Sequence, residues 1–278
     1  MNDTKKNSIS VCLVAHNEEG VIKRCLDSVV PLADEIIIVH DGPCADKTLE
    51  SAANYGARII IAERAASAEP NRPLSYEAAR GEWILQIDAD EFLSPDLQAA
   101  LPKLAAEKNV DAYEFLWPLY DGERYRTKHW PFKRAMFRHS VMSFLGTPND
   151  FVVGVPGKVK RLPLLLEHRP TYNNYTWKKF CTKWLTAAKI QAELYVGDFS
   201  AIKKFQYRAD GWSKKILLRI KHPLLITPFD VAFVIVKNLY SGAYKEGLFA
   251  WRVVFMWGLF RALTNWLVFR SRKNQYEG

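Results

Sequence analysis

Apolar runs alternate with amphipathic segments over the first hundred residues. Four short apolar runs predict β-strands, and they span Ile9–Ala15, Glu35–Val39, Ala57–Ala62 and Trp83–Ile87. After the first run, apolar residues at helical spacing predict a helix that reaches Val29. Apolar strands separated by helices are typical of a mostly parallel sheet covered by helices on both faces. We therefore predict an α/β fold.

Beyond the first hundred residues the pattern changes twice. It is strand-rich and irregular from Asp111 to His168, with the clearest runs at Tyr113–Trp117 and Leu162–Leu166. A helix is predicted from about Tyr175 to Tyr195. We expect one α/β domain over residues 1–200 and a separate helical region over residues 201–278.

The C-terminal region is basic and aromatic. Between Lys203 and Lys273 there are fourteen Lys or Arg residues against three acidic residues, within a chain of net charge +9. Such a region favours an anionic partner, which could be nucleic acid, acidic lipid or a phosphorylated substrate. A face that only confers solubility is the alternative. The 49% of hydrophobic residues excludes a disordered protein.

Two apolar stretches in this region fall short of a membrane-spanning helix. Val231–Val236 is too short, and Leu248–Phe269 carries Arg252 and Arg261 in mid-run. We predict amphipathic helices that lie on an anionic membrane surface, with tryptophans at the level of the lipid headgroups. The alternative is a helical hairpin packed on the preceding domain or on a second copy of the chain.

The cysteines and the N-terminus bear on the compartment. No paired metal-ligand spacing is found among Cys12, Cys25, Cys44 and Cys181. Their positions suggest no disulfide framework, which fits a reducing compartment. Residues 1–10 lack the apolar segment of a signal peptide. We expect the protein to be cytoplasmic and peripheral on the inner face of the cell membrane.

The strongest chemical signal is an acidic cluster directly after the fourth strand. Asp88-Ala89-Asp90 places two carboxylates two residues apart, and Glu91 follows. Such carboxylates can hold Mn²⁺ or Mg²⁺ and leave coordination positions open for a diphosphate. The alternative is a solvated acidic turn before the next helix.

Two further residues lie where such a site would need them. Asp41 ends the second strand, and its carboxylate could accept a hydrogen bond from the imino N–H of a uracil. Arg72, ahead of the fourth strand, could reach a diphosphate. An ordinary turn residue and a surface arginine are the respective alternatives.

Residues 9–92 resemble the donor half of glycosyltransferase family 2. The matching segments are Ser10 to Glu19, Val39 to Gly42 with Asp46-Lys47-Thr48, and Arg72 with Ala79 to Glu91. The resemblance implies a GT-A (Rossmann-like) fold, with a donor half over about 1–108 and an acceptor half over about 109–200. It also implies the donor-binding residues Ala15 and Glu18 at the nucleoside, Asp41 at the base, Arg72 at the diphosphate, Asp88 and Ala89, and Asp90 as a metal ligand. Pro73 departs from the asparagine that many relatives carry there.

The middle of the chain resembles a narrower group, the membrane-associated transferases of lipopolysaccharide core and similar glycolipids. The matching pieces include Asn149-Asp150 and Glu167-His168, although Asn149 and Asp150 replace a common His and Glu. An inverting transfer needs a carboxylate that takes the proton of the acceptor hydroxyl, and Asp150 is the candidate. His168 is a candidate to complete the metal site or to touch the diphosphate. A turn residue and a structural histidine are the alternatives.

Other residues near these motifs are weaker candidates. Lys179 and Lys183 lie four apart on the predicted helix and could bind phosphate, or simply be solvated. Three aromatic residues could form a platform for an acceptor sugar or belong to the core; they are Trp117, Tyr120 and Trp130.

The predicted function is inverting transfer of a sugar from a nucleoside-diphosphate donor, a UDP-sugar, to a hydroxyl of a membrane glycolipid or polysaccharide. A single transfer is expected because the chain lacks a Gln-x-x-Arg-Trp motif and predicted transmembrane helices. The expected partners are the donor, the acceptor and an anionic membrane surface, with a second copy of the chain as a possible further partner. Nucleic acid is not among them. The alternatives are a nucleotidylyltransferase and a non-catalytic basic protein that binds lipid or nucleic acid.

Overall fold

The protein is built on one eight-stranded mixed sheet. The computed structural model describes residues 7–65, 68–142, 153–196 and 214–277. The strand order is β3-β2-β1-β4-β7-β6-β8-β5. The strands are β1 (Ile9–Ala15), β2 (Glu35–Asp41), β3 (Arg58–Ala62), β4 (Trp83–Gln86), β5 (Glu91–Leu93), β6 (Ala112–Leu116), β7 (Phe132–Arg138) and β8 (Val159–His168).

The predicted parallel half is confirmed. β1 pairs in parallel with both β2 and β4, and β2 pairs in parallel with β3. Alternate β1 residues enter different apolar clusters, since Leu13 packs in the main core and Cys12 in a smaller one. Because side chains alternate across a strand, both faces of this sheet are covered, as the continuous apolar runs predicted.

Helices cover the sheet and form the C-terminal region. They are α1 (Glu19–Val29), α2 (Thr48–Asn54), α3 (Arg72–Ala78), α4 (Pro95–Ala105), α5 (Trp177–Lys179), α6 (Leu185–Val196), α7 (Lys214–Lys221), α8 (Pro223–Tyr240) and α9 (Leu248–Glu277). A π-helical turn, Phe180–Trp184, links α5 to α6 inside the single helix that the sequence predicted. Helix α4 begins directly after Ser94, whose hydroxyl caps it by accepting from the Leu97 N–H at 3.3 Å.

The second half of the sheet brings distant segments together. β7 is antiparallel to β4 and to β6, whereas β8 is parallel to β6. The short strand β5 pairs antiparallel with the end of β8, which places Glu91 opposite His168. This pairing carries the acidic segment after β4 to the end of a strand more than seventy residues later in the chain.

The C-terminal helices pack on the α/β domain. Ala250, Val253, Met256 and Phe260 of α9 lie in one buried cluster with Trp130 and residues of the α5–α6 segment. Helix α8 runs from Pro223 to Tyr240, so the apolar segment is longer than the sequence pattern indicated. Among the described residues it is the one helix whose length and composition would allow it to cross a membrane. Most of its length is exposed.

Candidate active site

Asp41 ends β2 in a buried pocket of hydrogen-bond donors. Its carboxylate accepts from Arg64 Nη1 at 2.6 Å, from the Ala65 N–H at 2.6 Å and from Asn71 Nδ2 at 2.8 Å. Gly42 follows with a φ of +87°, and a Cβ added there would lie 3.0 Å from Arg64 Cδ. The glycine thus lets Arg64 lie against Asp41. The acceptor capacity left on Oδ2 suits a base N–H.

The loop after β1 packs against this pocket. His16 Nδ1 lies 2.7 Å from the Asp41 backbone oxygen, and the Glu18 N–H donates to the Thr48 hydroxyl at 2.6 Å. Ala15, the last residue of β1, is buried. Burial, together with the charges of Asp90 and Asp88, raises the pKa of the Glu18 carboxyl to about 7. Glu18 therefore belongs electrostatically to the acidic cluster.

Asp88 is held by two cations. Its Oδ1 accepts from Arg72 Nη2 at 2.7 Å, and its Oδ2 accepts from Lys133 Nζ at 2.8 Å. Burial opposes ionisation of Asp88, but Arg72 and Lys133 outweigh it and hold its pKa well below the ordinary value. Arg72 is itself buried, and its Nε has no hydrogen-bond partner among the described residues. Arg72 therefore contacts Asp88 from the buried side of that carboxylate.

Glu91 is the most enclosed carboxylate of the cluster. It is fully buried and accepts from Lys133 Nζ at 2.6 and 2.7 Å, from Trp117 Nε1 at 2.6 Å and from the Asp88 N–H at 2.9 Å. Burial raises the pKa of Glu91, and the Lys133 ammonium opposes that rise. Burial also disfavours the ammonium, but Asp88 and Glu91 outweigh it and raise the pKa of Lys133.

Asp90 and His168 form a second pair in the cluster, in which the histidine is buried and the aspartate is partly exposed. His168 Nε2 lies 3.4 Å from Asp90 Oδ2, and the Asp90 side chain is 26% exposed. The His168 ring stacks on Trp117 with ring centroids 4.2 Å apart. Ala89, the residue before Asp90, is buried.

This pair bears on whether a divalent cation fits. One carboxylate oxygen and one imidazole nitrogen at this separation are suited to ligate the same cation. No group of three His, Cys, Asp or Glu side chains suited to a metal is found among the described residues. The residues present therefore fit a cation that draws its remaining ligands from a diphosphate and water.

The remaining candidates fall in different places. Asp150 lies outside the described residues. Lys179 and Lys183 both point at the ring of Tyr172, with Nζ 4.1 and 5.4 Å from its centroid. Trp130 is buried in the cluster under the C-terminal helices. Tyr120 packs edge-on against Tyr125 at 5.3 Å.

Three residues of this site were missed in the sequence. Lys133, Arg64 and Asn71 each donate to a carboxylate of the cluster or of the Asp41 pocket. Lys133 stands in a strand with basic residues on both faces, Phe132–Arg138, so the pattern gave no sign that it is buried. Trp117 was predicted to belong to a sugar platform or to the core, and neither interpretation included its hydrogen bond to Glu91.

Comparison with known proteins gives the family. Residues 10–161 match the profile of glycosyl transferase family 2, which is more than half of the chain. A glycosyltransferase of Rickettsia conorii of uncharacterised activity is 31% identical over 278 aligned positions, 88% of this chain and 98% of that relative. A Rickettsia bellii glycosyltransferase is 33% identical over 113 positions, which cover 41% of this chain and 38% of that relative.

The chain is also similar to proteins of solved structure. S. aureus TarS 1–349 in complex with UDP-GlcNAc has a TM-score of 0.47 at 13% identity, with 96% of this chain and 92% of that chain covered. Mycobacterium tuberculosis glucosyl-3-phosphoglycerate synthase with Mn²⁺, UDP and phosphoglyceric acid has a TM-score of 0.43 at 16% identity, with 70% and 78% covered. The sheet topology and the family match confirm the GT-A fold. The chain belongs to glycosyl transferase family 2.

Proposed function

We propose that this glycosyltransferase moves a sugar from a UDP-sugar to a hydroxyl of a membrane glycolipid or lipopolysaccharide-type acceptor, with inversion at the anomeric carbon. The observation that carries the proposal is that the carboxylates at one edge of the sheet have different ion-pair partners. Asp88 and Glu91 each pair with a lysine or arginine, whereas the ion-pair partner of Asp90 among the described residues is His168. Open α/β sheets bind ligands at this edge.

The donor would lie across the carboxyl ends of β1, β2 and β4. The Asp41 pocket would accept the imino N–H of uracil, with Ala15 and Glu18 beside the nucleoside. The diphosphate would extend toward Asp90 and His168, which would hold Mn²⁺ or Mg²⁺. A bound cation would neutralise the charge that develops on the leaving diphosphate. Trp117 would hold the His168 ring in place by stacking.

Thermal unfolding tests the donor site. At a hundredfold excess over its dissociation constant, UDP with Mn²⁺ should stabilise the protein by roughly 2.7 kcal/mol. For a chain of this length that corresponds to a rise in melting temperature of roughly 5–10 °C. Asp90→Ala should abolish the metal-dependent part, and Asp96→Ala, an exposed carboxylate in the first turn of α4, should retain it. Absence of any shift in folded wild type would refute the proposal.

Asp150 is proposed as the base that deprotonates the acceptor hydroxyl. A base acts on the acceptor and not on the donor. Asp150→Asn should therefore abolish transfer and leave the UDP-dependent rise in melting temperature intact. Loss of both would assign Asp150 to donor binding or folding, and full activity would remove it from catalysis.

The acceptor proposal draws support from the exposed face of the C-terminal hairpin, α8 and α9. Along α8 an apolar stripe recurs every three or four residues and is 55–94% exposed at Leu225, Phe229, Phe233, Val236 and Tyr240. A similar stripe on α9 includes Leu248, Trp251 and Phe255, all exposed. Apolar stripes on a basic region suit a peripheral position on an anionic membrane.

The buried side of α8 favours a surface position over a span. Asp230 accepts two hydrogen bonds from Arg219, at 2.9 and 3.0 Å, and this pair is enclosed by α7, α8 and α9.

Vesicle sedimentation tests the membrane position. Wild type should sediment with vesicles of anionic phospholipid and less with neutral vesicles. The double variant Phe229→Ser with Phe233→Ser should bind both kinds of vesicle more weakly. A dimer in solution that this double variant dissociates would instead show a second copy on this face.

A further inference from the structure

Lys133 is a buried ammonium that bonds three carboxylate oxygens. Its Nζ lies 2.8 Å from Asp88 Oδ2 and 2.6 and 2.7 Å from the two oxygens of Glu91. The lysine comes from β7, more than forty residues after the acidic segment, and its side chain is 12% exposed. An ammonium enclosed by oxygens in this way occupies the position that a metal ion would take between the same carboxylates.

The charges around Lys133 balance in pairs. Arg72 and Lys133 supply two positive charges, and Asp88 and Glu91 supply two negative charges. Trp117 Nε1 and the Asp88 N–H donate to the remaining lone pairs of Glu91. Both carboxylates are therefore neutralised by cations of the protein, although the Asp88 side chain is still 31% exposed. Asp90 is the carboxylate of the Asp88–Glu91 segment that pairs with a histidine, His168, and not with a lysine or arginine of the described residues.

Without Lys133 the same segment would be a strong cation site. Three carboxylates within four residues, at a partly buried position, attract a divalent ion more strongly than one carboxylate and a histidine do. An ion that replaced the Lys133 ammonium would also lie against Glu91, which is fully buried.

We propose that Lys133 is a positioning residue that fills this inner cation position and so confines the divalent metal to Asp90 and His168. The inference rests on the metal site of the proposed function. It means that the protein alone holds Mn²⁺ weakly and that the nucleotide diphosphate supplies the ligands that retain the ion. Metal and nucleotide then enter and leave together.

Mn²⁺ binding by the nucleotide-free protein tests this role without measuring activity. Calorimetric titration of wild type should show weak binding, and Lys133→Gln should bind Mn²⁺ at least tenfold more tightly because Asp88 and Glu91 become available. Lys133→Arg keeps the charge and should stay weak. Lys160→Gln is the matched control. Lys160 lies on β8, pairs with Glu107 and stands eight residues before His168, which places it roughly 25 Å from that histidine.

Two results would overturn the inference. One is a Lys133→Gln variant that binds Mn²⁺ no more tightly than wild type, and the other is an equal gain in Lys160→Gln, which would reflect net charge alone. If Lys133→Gln does not fold, Lys133→Gln with Glu91→Gln removes a buried acid together with the base. That variant still frees Asp88, so it should bind Mn²⁺ at least threefold more tightly than wild type, and no gain would refute the role of Lys133.

A separate titration distinguishes failure of this inference from failure of the proposed function. Wild type titrated with Mn²⁺ in the presence of saturating UDP reports the Asp90–His168 site. Absence of UDP-dependent binding there would count against the proposed metal site. The comparison of nucleotide-free variants reports Lys133 in either case.

Discussion

Glu18 should make the stability of this protein depend on pH. It begins the turn into α1, and burial with the charges of Asp90 and Asp88 raises its pKa from 4.5 to about 7. The folded protein therefore binds this proton more tightly than the unfolded chain does. The contribution of Glu18 to stability falls as the pH rises from about 4.5 to about 7 and is then fully lost. Glu18→Gln removes the group that has to ionise.

The size of the effect follows from the shift. A shift of about 2.5 pKa units corresponds to at most about 3.4 kcal/mol at pH 8. Glu18 is partly exposed, and solvent screening reduces this to about 1–2 kcal/mol. At pH 5 the wild-type penalty is about a quarter of its value at pH 8. Glu18→Gln should thus stabilise the protein by about 1–2 kcal/mol at pH 8 and by under 0.5 kcal/mol, roughly, at pH 5.

Urea denaturation of the metal-free protein at both pH values measures this difference. Glu77→Gln, a change at an exposed glutamate on α3, controls for the loss of one negative charge from the whole protein. A gain of equal size at the two pH values would refute the reasoning, because it would show an effect of packing and not of ionisation. A gain matched by the Glu77 variant would assign the effect to net charge.

Three further changes test other contacts of the structure. Asp41→Asn should weaken UDP binding about tenfold, measured by calorimetry, because the amide replaces an acceptor oxygen with a donor. Trp117→Phe should lower the free energy of unfolding by about 1–3 kcal/mol, since buried Glu91 loses a hydrogen bond. Arg219→Met should cost about 3–5 kcal/mol by leaving Asp230 buried without its cation, and adding Asp230→Leu should recover most of that loss in urea denaturation.

The fold could be predicted from local patterns because its first half is built from local units. Each apolar run is short and continuous, and each is followed by a helix with its own apolar face, so the strands β1 to β4 follow from periodicity alone. The carboxylates Asp41 and Asp88 end such strands, and parallel strands end at the same edge. That both lie at the same edge of the sheet was therefore predictable.

The rest of the site depends on pairings that leave no local signal. The β5–β8 pair sets Glu91 opposite His168, and its register is fixed by packing between segments far apart in the chain. Lys133 enters from β7, where Arg134 follows it directly, so its position in the sequence resembles a solvated one. A buried lysine is unusual unless carboxylates surround it, so only the assembled sheet reveals its partners.

The C-terminal hairpin and the candidate metal site both pack against Trp117. Trp117 stacks on His168 and donates to Glu91, and it also packs against the cluster that holds Met256 of α9. The loop after Trp117 is also hydrogen-bonded to the hairpin. Glu246, between α8 and α9, accepts from the Lys128 N–H at 2.8 Å. Removing the hairpin would therefore expose one side of Trp117 and loosen the ring that orients His168. The basic, aromatic region is thus part of the packing that shapes the donor site, in addition to any role at a membrane.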